Sequence, residues 1–174
     1  MITIRPYQED DADDMFDAVE ESSEHSYEFL PWCHPDYSRE DAQAFVMSRQ
    51  QAWDEQTDIS FAIIDEASLL YLGGTSVNHI NWSHRFANIG YWVRKTALGR
   101  GIGAAALHLT AEYMFERTDL IRLEVVVSTD NEQGLAVAQE AGALDEGVLH
   151  DRIYLHGEEH DAHMFTFLKK DFPI

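Results

Sequence analysis

The sequence has a single cysteine, Cys33, so no disulfide can form within the chain. It has only three lysines and four prolines, and no apolar run approaches the length that spans a bilayer. No low-complexity tract or internal repeat breaks the 174 residues, a length that suits a single domain over 1–174 with a sizeable core. The opening "MITIRPYQEDDADD" lacks the basic-then-apolar order of a secretion signal, so a cytoplasmic location away from the membrane is expected.

Acid is what the chain has in excess. It carries 32 Asp and Glu against 12 Lys and Arg, a formal net charge of −20, spread along the sequence with no acidic tail. A surface of that sign repels nucleic-acid phosphates, so no direct nucleic-acid partner is expected. It serves solubility, or fits a salty cytoplasm where screening relieves self-repulsion.

The residue pattern gives alternating helices and strands. "ITIRPY" reads as a strand, and Asp11 to Glu24 as a helix with Met15, Ala18 and Val19 on one face. "LPWCHPDYS" is a loop, and Ser38 opens a second helix running to about Trp53. Three strands follow as an antiparallel meander: Ile59 to Asp65, Tyr71 to Ile80 and Phe86 to Arg94. Then come a helix (Ala104 to Arg117), a strand (Ile121 to Ser128), a helix (Asn131 to Ala141) and two strands, near Leu144 to Leu155 and Ala162 to Leu168. The fold class is α+β, one mixed sheet with helices packed on it.

The stretch "VRKTALGRGIGAAAL" places Gly99, Gly101 and Gly103 between a strand and a helix. A helix N-terminus offers unpaired N–H groups and partial positive charge, and glycine lets an anion approach them. Three of the twelve basic residues, Arg94, Lys95 and Arg100, cluster there in an otherwise acidic chain. A phosphate-bearing ligand and a plain tight turn both fit. No Gly-Lys-Ser/Thr follows, which excludes a Walker A loop. A dinucleotide fold needs two βαβαβ halves and an acid at the end of its strand; Glu124 lies near the beginning of "RLEVVVS" instead.

"GYWVRKTALGRGIGAAAL" followed by "RLEVVVSTDNEQGLAVAQEAGALDEGVL" resembles the GNAT superfamily of acetyl-CoA-dependent N-acetyltransferases. "LPW", "LGGTSVNHIN" and "HGEEHDAHMF" narrow the resemblance to the RimJ/RimL type, which acetylates protein N-termini, those of ribosomal proteins among them. The resemblance implies a twisted, mainly antiparallel sheet of about seven strands flanked by about four helices. It implies acetyl-CoA as co-substrate, its pyrophosphate on the turn from Leu98 through Gly99, Arg100, Gly101, Ile102 and Gly103 to Ala104, with Arg94 and Asn131 as further contacts. It also implies that the pantetheine lies beside the strand ending at Trp92 and Val93. The partner is an amine acceptor, a ribosomal or other protein N-terminus; a homodimer is the assembly to test. A small-molecule amine, or a degenerate protein that holds coenzyme A without turnover, are the alternatives.

The chain departs from the family pattern at several positions. Leu98 stands for Gln or Arg, Ala138 for a tyrosine acid, Gly134 for a serine and Gly142-Ala143 for Gly-Phe. Asn88 holds the catalytic place of a glutamate, although an amide cannot act as a base. Glu124 is the candidate base, or else the partner of a surface arginine such as Arg122 or Arg152. Trp32, His34 and Asn78 are candidates for the acceptor site. Metal is not expected, because His160 and His163 lie three apart on a strand and face opposite ways. Cys33 beside His34 is expected to be buried or idle.

Overall fold

A computed structural model describes all 174 residues. The strands are β1 (Ile2–Pro6), β2 (Asp58–Asp65), β3 (Tyr71–Asn81), β4 (Phe86–Val93), β5 (Arg122–Ser128), β6 (Leu144–Leu155) and β7 (Glu158–Leu168). The helices are α1 (Asp11–Ser26), α2 (Arg39–Asp54), α3 (Ile102–Arg117) and α4 (Glu132–Glu140), with 3₁₀ turns at Lys95–Ala97 and Lys169–Asp171. One seven-stranded sheet runs in the order β1-β2-β3-β4-β5-β7-β6. Every neighbouring pair is antiparallel except β4 and β5. The expected element order and the meander from β2 to β4 are both present.

Local chemistry accounts for the boundaries. Ser38 caps α2 by accepting from the Asp41 N–H (3.1 Å), while Asp41 Oδ2 accepts from the Ser38 N–H (2.9 Å), a reciprocal capping box. Asp11 starts α1 while holding the Arg5 guanidinium through both carboxylate oxygens at 2.7 Å, which locks β1 to the helix. The last hairpin is longer than the charge pattern suggests. Leu155 pairs with Glu158 across His156–Gly157, both at positive φ, a two-residue turn that matches strand twist. The polar run Glu158–Asp161 reads as loop in the sequence, yet it opens β7: this part of the strand extends beyond β5 and pairs with the edge strand β6 alone, so its side chains stay near solvent.

Helices cover both faces of the sheet. α3 and α4 bury Leu107, Met114 and Phe115 against Phe61, Ile89, Leu123 and Phe165 on one face. On the other, α1 and α2 bury Met15, Val19, Ala42 and Val46 against Ala62, Ile64, Tyr71 and Trp92. β4, at the centre, is the strand on which the site is built. Cys33 is buried in the second cluster, and burial pushes its thiol up to about 11, so it stays protonated. No helix is long and apolar enough to cross a membrane.

Candidate active site

β4 and β5 pair over only three residues, Phe86–Arg122, Ala87–Leu123 and Asn88–Glu124. Beyond that point the strands part. Both continue to pair on their outer edges, so the inner edges of Ile89–Val93 and Val125–Ser128 face each other with backbone groups unclaimed by the sheet. The wedge between them is a cavity of about 480 Å³, closed by the start of α3, by α4, and by the end of α1. Slightly more than half of the residues that line it are apolar, and the glycine turn forms part of its wall.

That turn is an open helix N-terminus. Gly101 precedes α3 in the left-handed region (φ 70°), with no side-chain cap. The first bond into α3 runs from the Ala105 N–H to the Gly101 carbonyl (3.0 Å), so the N–H groups of Ile102, Gly103 and Ala104 have no partner within the helix. Gly103 has a different purpose from the one its spacing suggests. A Cβ there would lie 2.5 Å from the Tyr91 ring, so this glycine lets α3 lie against β4. At Gly101 the nearest atom to such a Cβ would be Glu140 Oε1, at 3.1 Å. A carboxylate from α4 thus stands beside this open helix N-terminus.

The basic residues divide. The Arg94 guanidinium is held by Glu21 at 2.7 and 2.9 Å and by the Tyr71 carbonyl at 3.0 Å, and it does not line the wedge. It fastens the turn to α1 instead. Glu21 also accepts from the Thr96 N–H and hydroxyl (3.2 and 2.8 Å), and Ser22 accepts from the Lys95 N–H (2.9 Å). These donors, Arg94 first, hold the Glu21 carboxyl down to about 2. Arg100 lies on the outer side of the turn, beside α3, exposed to solvent.

Trp92, Val93, Leu98, Gly99, Gly101, Ile102, Gly103 and Asn131 all line the wedge, whereas Ala104 faces the outer side. Asn131 caps α4 by accepting from the Gly134 N–H (2.9 Å). A Cβ at Gly134 would sit 2.7 Å from the Asn131 amide, so a serine there would displace that side chain. Ala138 is fully buried in the core and does not reach the wedge.

Asn78, Asn88 and Glu124 stand in register across β3, β4 and β5, at the point where the wedge opens. Asn88 donates to Asn78 Oδ1 (3.0 Å). Glu124 accepts from Arg122 Nε (2.7 Å), and Arg122 also binds Glu146; Glu124 lines neither the wedge nor the neighbouring cavity. The ion pair with Arg122, one of its two sequence expectations, is the arrangement seen. His25, on the last turn of α1, is the one histidine lining the wedge, and Glu140 the one carboxylate. Sequence reasoning missed both, because each lies on a helix whose polar face carries no periodic mark.

A second cavity of about 400 Å³ adjoins the first under α1, α2 and the loop between them, sharing Leu30, Gly90, Tyr91 and Trp92 with it. Trp32 lines it and packs edge-on against Trp92 at 5.3 Å. His34 lies outside, against Tyr37 at 6.1 Å, and Asn78 does not reach it. The two cavities meet only at the middle of β4 and Leu30.

The comparisons with known proteins agree with this architecture. The family described as an acetyltransferase (GNAT) domain matches residues 1–144. YdaF of Bacillus subtilis, which carries the name of a ribosomal N-acetyltransferase, is 35% identical over 111 residues, 62% of this chain and 61% of its own length. The ribosomal-protein-serine acetyltransferase of Escherichia coli is 28% identical over 129 residues, 74% of this chain and 69% of its own. A solved structure of RimL, a ribosomal L7/L12 α-N-protein acetyltransferase in complex with coenzyme A, superposes with a TM-score of 0.86 at 23% identity, covering 96% of this chain and 93% of that one, which shows a shared fold. With over four-fifths of its length inside the family match, from β1 to the first residue of β6, the chain belongs to the GNAT acetyltransferase family.

Proposed function

We propose that the chain transfers an acetyl group from acetyl-CoA directly to the α-amine of a protein or peptide N-terminus. The observation that carries this is the parting of β4 from β5 above an open helix N-terminus, with a second cavity meeting the wedge at Gly90–Trp92. The wedge suits an extended chain ending in a diphosphate. The N–H groups of Ile102, Gly103 and Ala104 suit the diphosphate, and the free edge of β4 offers backbone bonds to amides along the chain. The co-substrate supplies an activated acyl carbon; its C–S bond breaks as the new C–N bond forms, the sulfur taking a proton and the nitrogen losing one.

The residues at the junction favour an amine that needs little help. Asn88 is neutral, Glu124 is held by Arg122, and Tyr91 is kept protonated by burial, which pushes its phenol up to about 12. An α-amine titrates near 8 and is partly neutral at pH 7, whereas a lysine side chain near 10.4 needs a strong base. His25 is the one imidazole in the lining of the wedge. The names of the relatives, acting on ribosomal-protein N-termini, support the same acceptor class.

The test is a matched pair of peptides, one with a free N-terminus and no lysine, the other N-terminally blocked and carrying a lysine. Thiol release should be faster with the first. Faster reaction with the blocked peptide refutes the α-amine, and turnover with neither refutes the transferase reading for peptides.

A further inference from the structure

The second cavity differs from the rest of the molecule in what lines it. Its walls are aromatic, with Tyr7, Trp32, Tyr37, Phe45 and Trp92 around a floor opened by Gly74. A Cβ at Gly74 would meet the Tyr7 hydroxyl at 2.4 Å and the Trp92 indole nitrogen at 3.0 Å, so the strand is bared there to let both rings close over it. Asp41 is the only charged residue in the lining, and its Oδ2 is taken by the N–H and hydroxyl of Ser38, both at 2.9 Å. The Tyr7 hydroxyl is paired with that of Tyr71 (2.9 Å), and burial raises its phenol so that it carries no charge. Arg49 stacks on Phe45 and is neutralised by Asp58 at 3.1 Å.

In a chain of net charge −20, this cavity has a single carboxylate in its lining, that of Asp41, which is exposed and which Ser38 engages by hydrogen bonds without neutralising it. A cationic side chain seated among the rings would lose hydration there, with the exposed Asp41 carboxylate as its one possible partner. A small polar one would leave most of about 400 Å³ unfilled. An aromatic or large aliphatic group would gain from burial and from edge-to-face contact with the rings already arranged that way.

Resting on the α-amine reading above, we propose that this cavity receives the side chain next to the reacting amine. It therefore selects acceptors whose α-amine is carried by a bulky aromatic or aliphatic residue over those beginning with serine, alanine or lysine. Trp92 and Gly90 border both cavities, which sets the amine at the wedge when the side chain is seated.

The experiment varies only the first residue of one short peptide, with phenylalanine, leucine, serine, alanine or lysine, at saturating acetyl-CoA. kcat/KM for phenylalanine and leucine should exceed serine by about tenfold or more, the range a filled apolar pocket gives. Phenylalaninamide and serinamide extend the comparison to free amino compounds; the same ratio there shows that the side chain alone is read. A ratio confined to peptides shows that the following backbone must also bind, and the side-chain preference stands. Serine or alanine equalling phenylalanine, or lysine leading, overturns the inference while leaving the transferase reading intact. Should nothing be acetylated, that reading fails separately, and binding decides this one. Quenching of tryptophan fluorescence in the coenzyme A complex should show phenylalaninamide binding more tightly than serinamide, and equal affinity overturns the proposal. Trp32→Ala, at a partly exposed wall, should lower the phenylalanine-to-serine ratio, and an unchanged ratio removes the cavity as its origin.

Discussion

The wedge and the cavity beside it are built from different materials. The wedge is made of backbone: two strands that part, a helix start without a cap, and a left-handed glycine. The cavity is made of side chains brought from β1, the α1–α2 loop, α2 and β4. A backbone site tolerates sequence change wherever its φ and ψ are kept, and it fails abruptly where they are not. A side-chain site changes by degrees with each substitution. The same contrast separates a common co-substrate from a particular acceptor within one family.

The sharpest test of the backbone site lies in its two neighbouring glycines. Saturation a hundredfold over Kd stabilises by about 2.7 kcal/mol, which raises the melting temperature of a chain this size by roughly 5–10 °C. Gly101→Val must place a branched residue at φ 70°, a strain that also lowers the free protein's melting temperature, and in addition it should lose most of the coenzyme A response. Gly103→Val drives a side chain into the Tyr91 ring, so its first effect should be on the free protein. Overpacking of about 1–3 kcal/mol corresponds to a fall of roughly 2–12 °C before any ligand is added. Thermal melts with and without coenzyme A separate the two. A Gly103→Val protein that melts normally would show that this glycine is not a packing device.

The fate of these glycines shows what could be read in advance. Strand alternation, the meander and the Ser38 cap are local, and the sequence pattern carries them. The glycine turn is also local, so its place between β4 and α3 is legible, but the division of labour between Gly101 and Gly103 depends on Tyr91 across the interface. Arg94, Lys95 and Arg100 look alike as a cluster; only the approach of Glu21, 73 positions from Arg94, removes the first of them from the anion site. Glu124 is the opposite case, its pairing decided by Arg122 two residues away on the same strand face, a local contact the sequence offers. The aromatic cavity had one member in view, Trp32, because Tyr7, Tyr37 and Phe45 sit in unrelated segments. Long-range assembly has no signature in a single sequence.

Glu21 offers a test of intermediate size. Its carboxyl is lowered to about 2 in the folded protein from 4.5, so its stabilising effect is full above about pH 4.5 and is lost as pH falls toward 2. Glu21→Gln should therefore be less stable than the parent near neutrality, by about 1 kcal/mol after allowance for solvent screening, or roughly 2–4 °C. The gap should close on acidification, since every other carboxyl titrates in both proteins. Coenzyme A should also bind the variant less tightly, because the turn loses its tether to α1. A gap that stays constant from pH 6 to pH 3 would separate Glu21 from the acid response.

The smallest expected effect is confined to the bound protein. Glu140 holds a carboxylate at the N-terminus of α3. With no anion bound, that negative charge complements the dipole of α3, an interaction of about 0.3–1 kcal/mol at low ionic strength, and opposes the dipole of α4, of which Glu140 is the last residue, by a similar amount. A diphosphate arriving at the same N–H groups must displace the carboxylate or bear its repulsion. Glu140→Gln should thus melt close to the parent when free, since the two dipole effects offset each other. The same variant should bind coenzyme A about two- to fivefold more tightly, the affinity equivalent of that energy. The gain should shrink at 1 M salt, where charges beyond about 3 Å are screened. Dephospho-coenzyme A, which keeps the diphosphate and lacks the ribose phosphate, should show the same gain. If only intact coenzyme A gains, Glu140 opposes the ribose phosphate and the diphosphate lies elsewhere. Weaker binding of both by the variant would mean that the carboxylate orders the turn instead of guarding it.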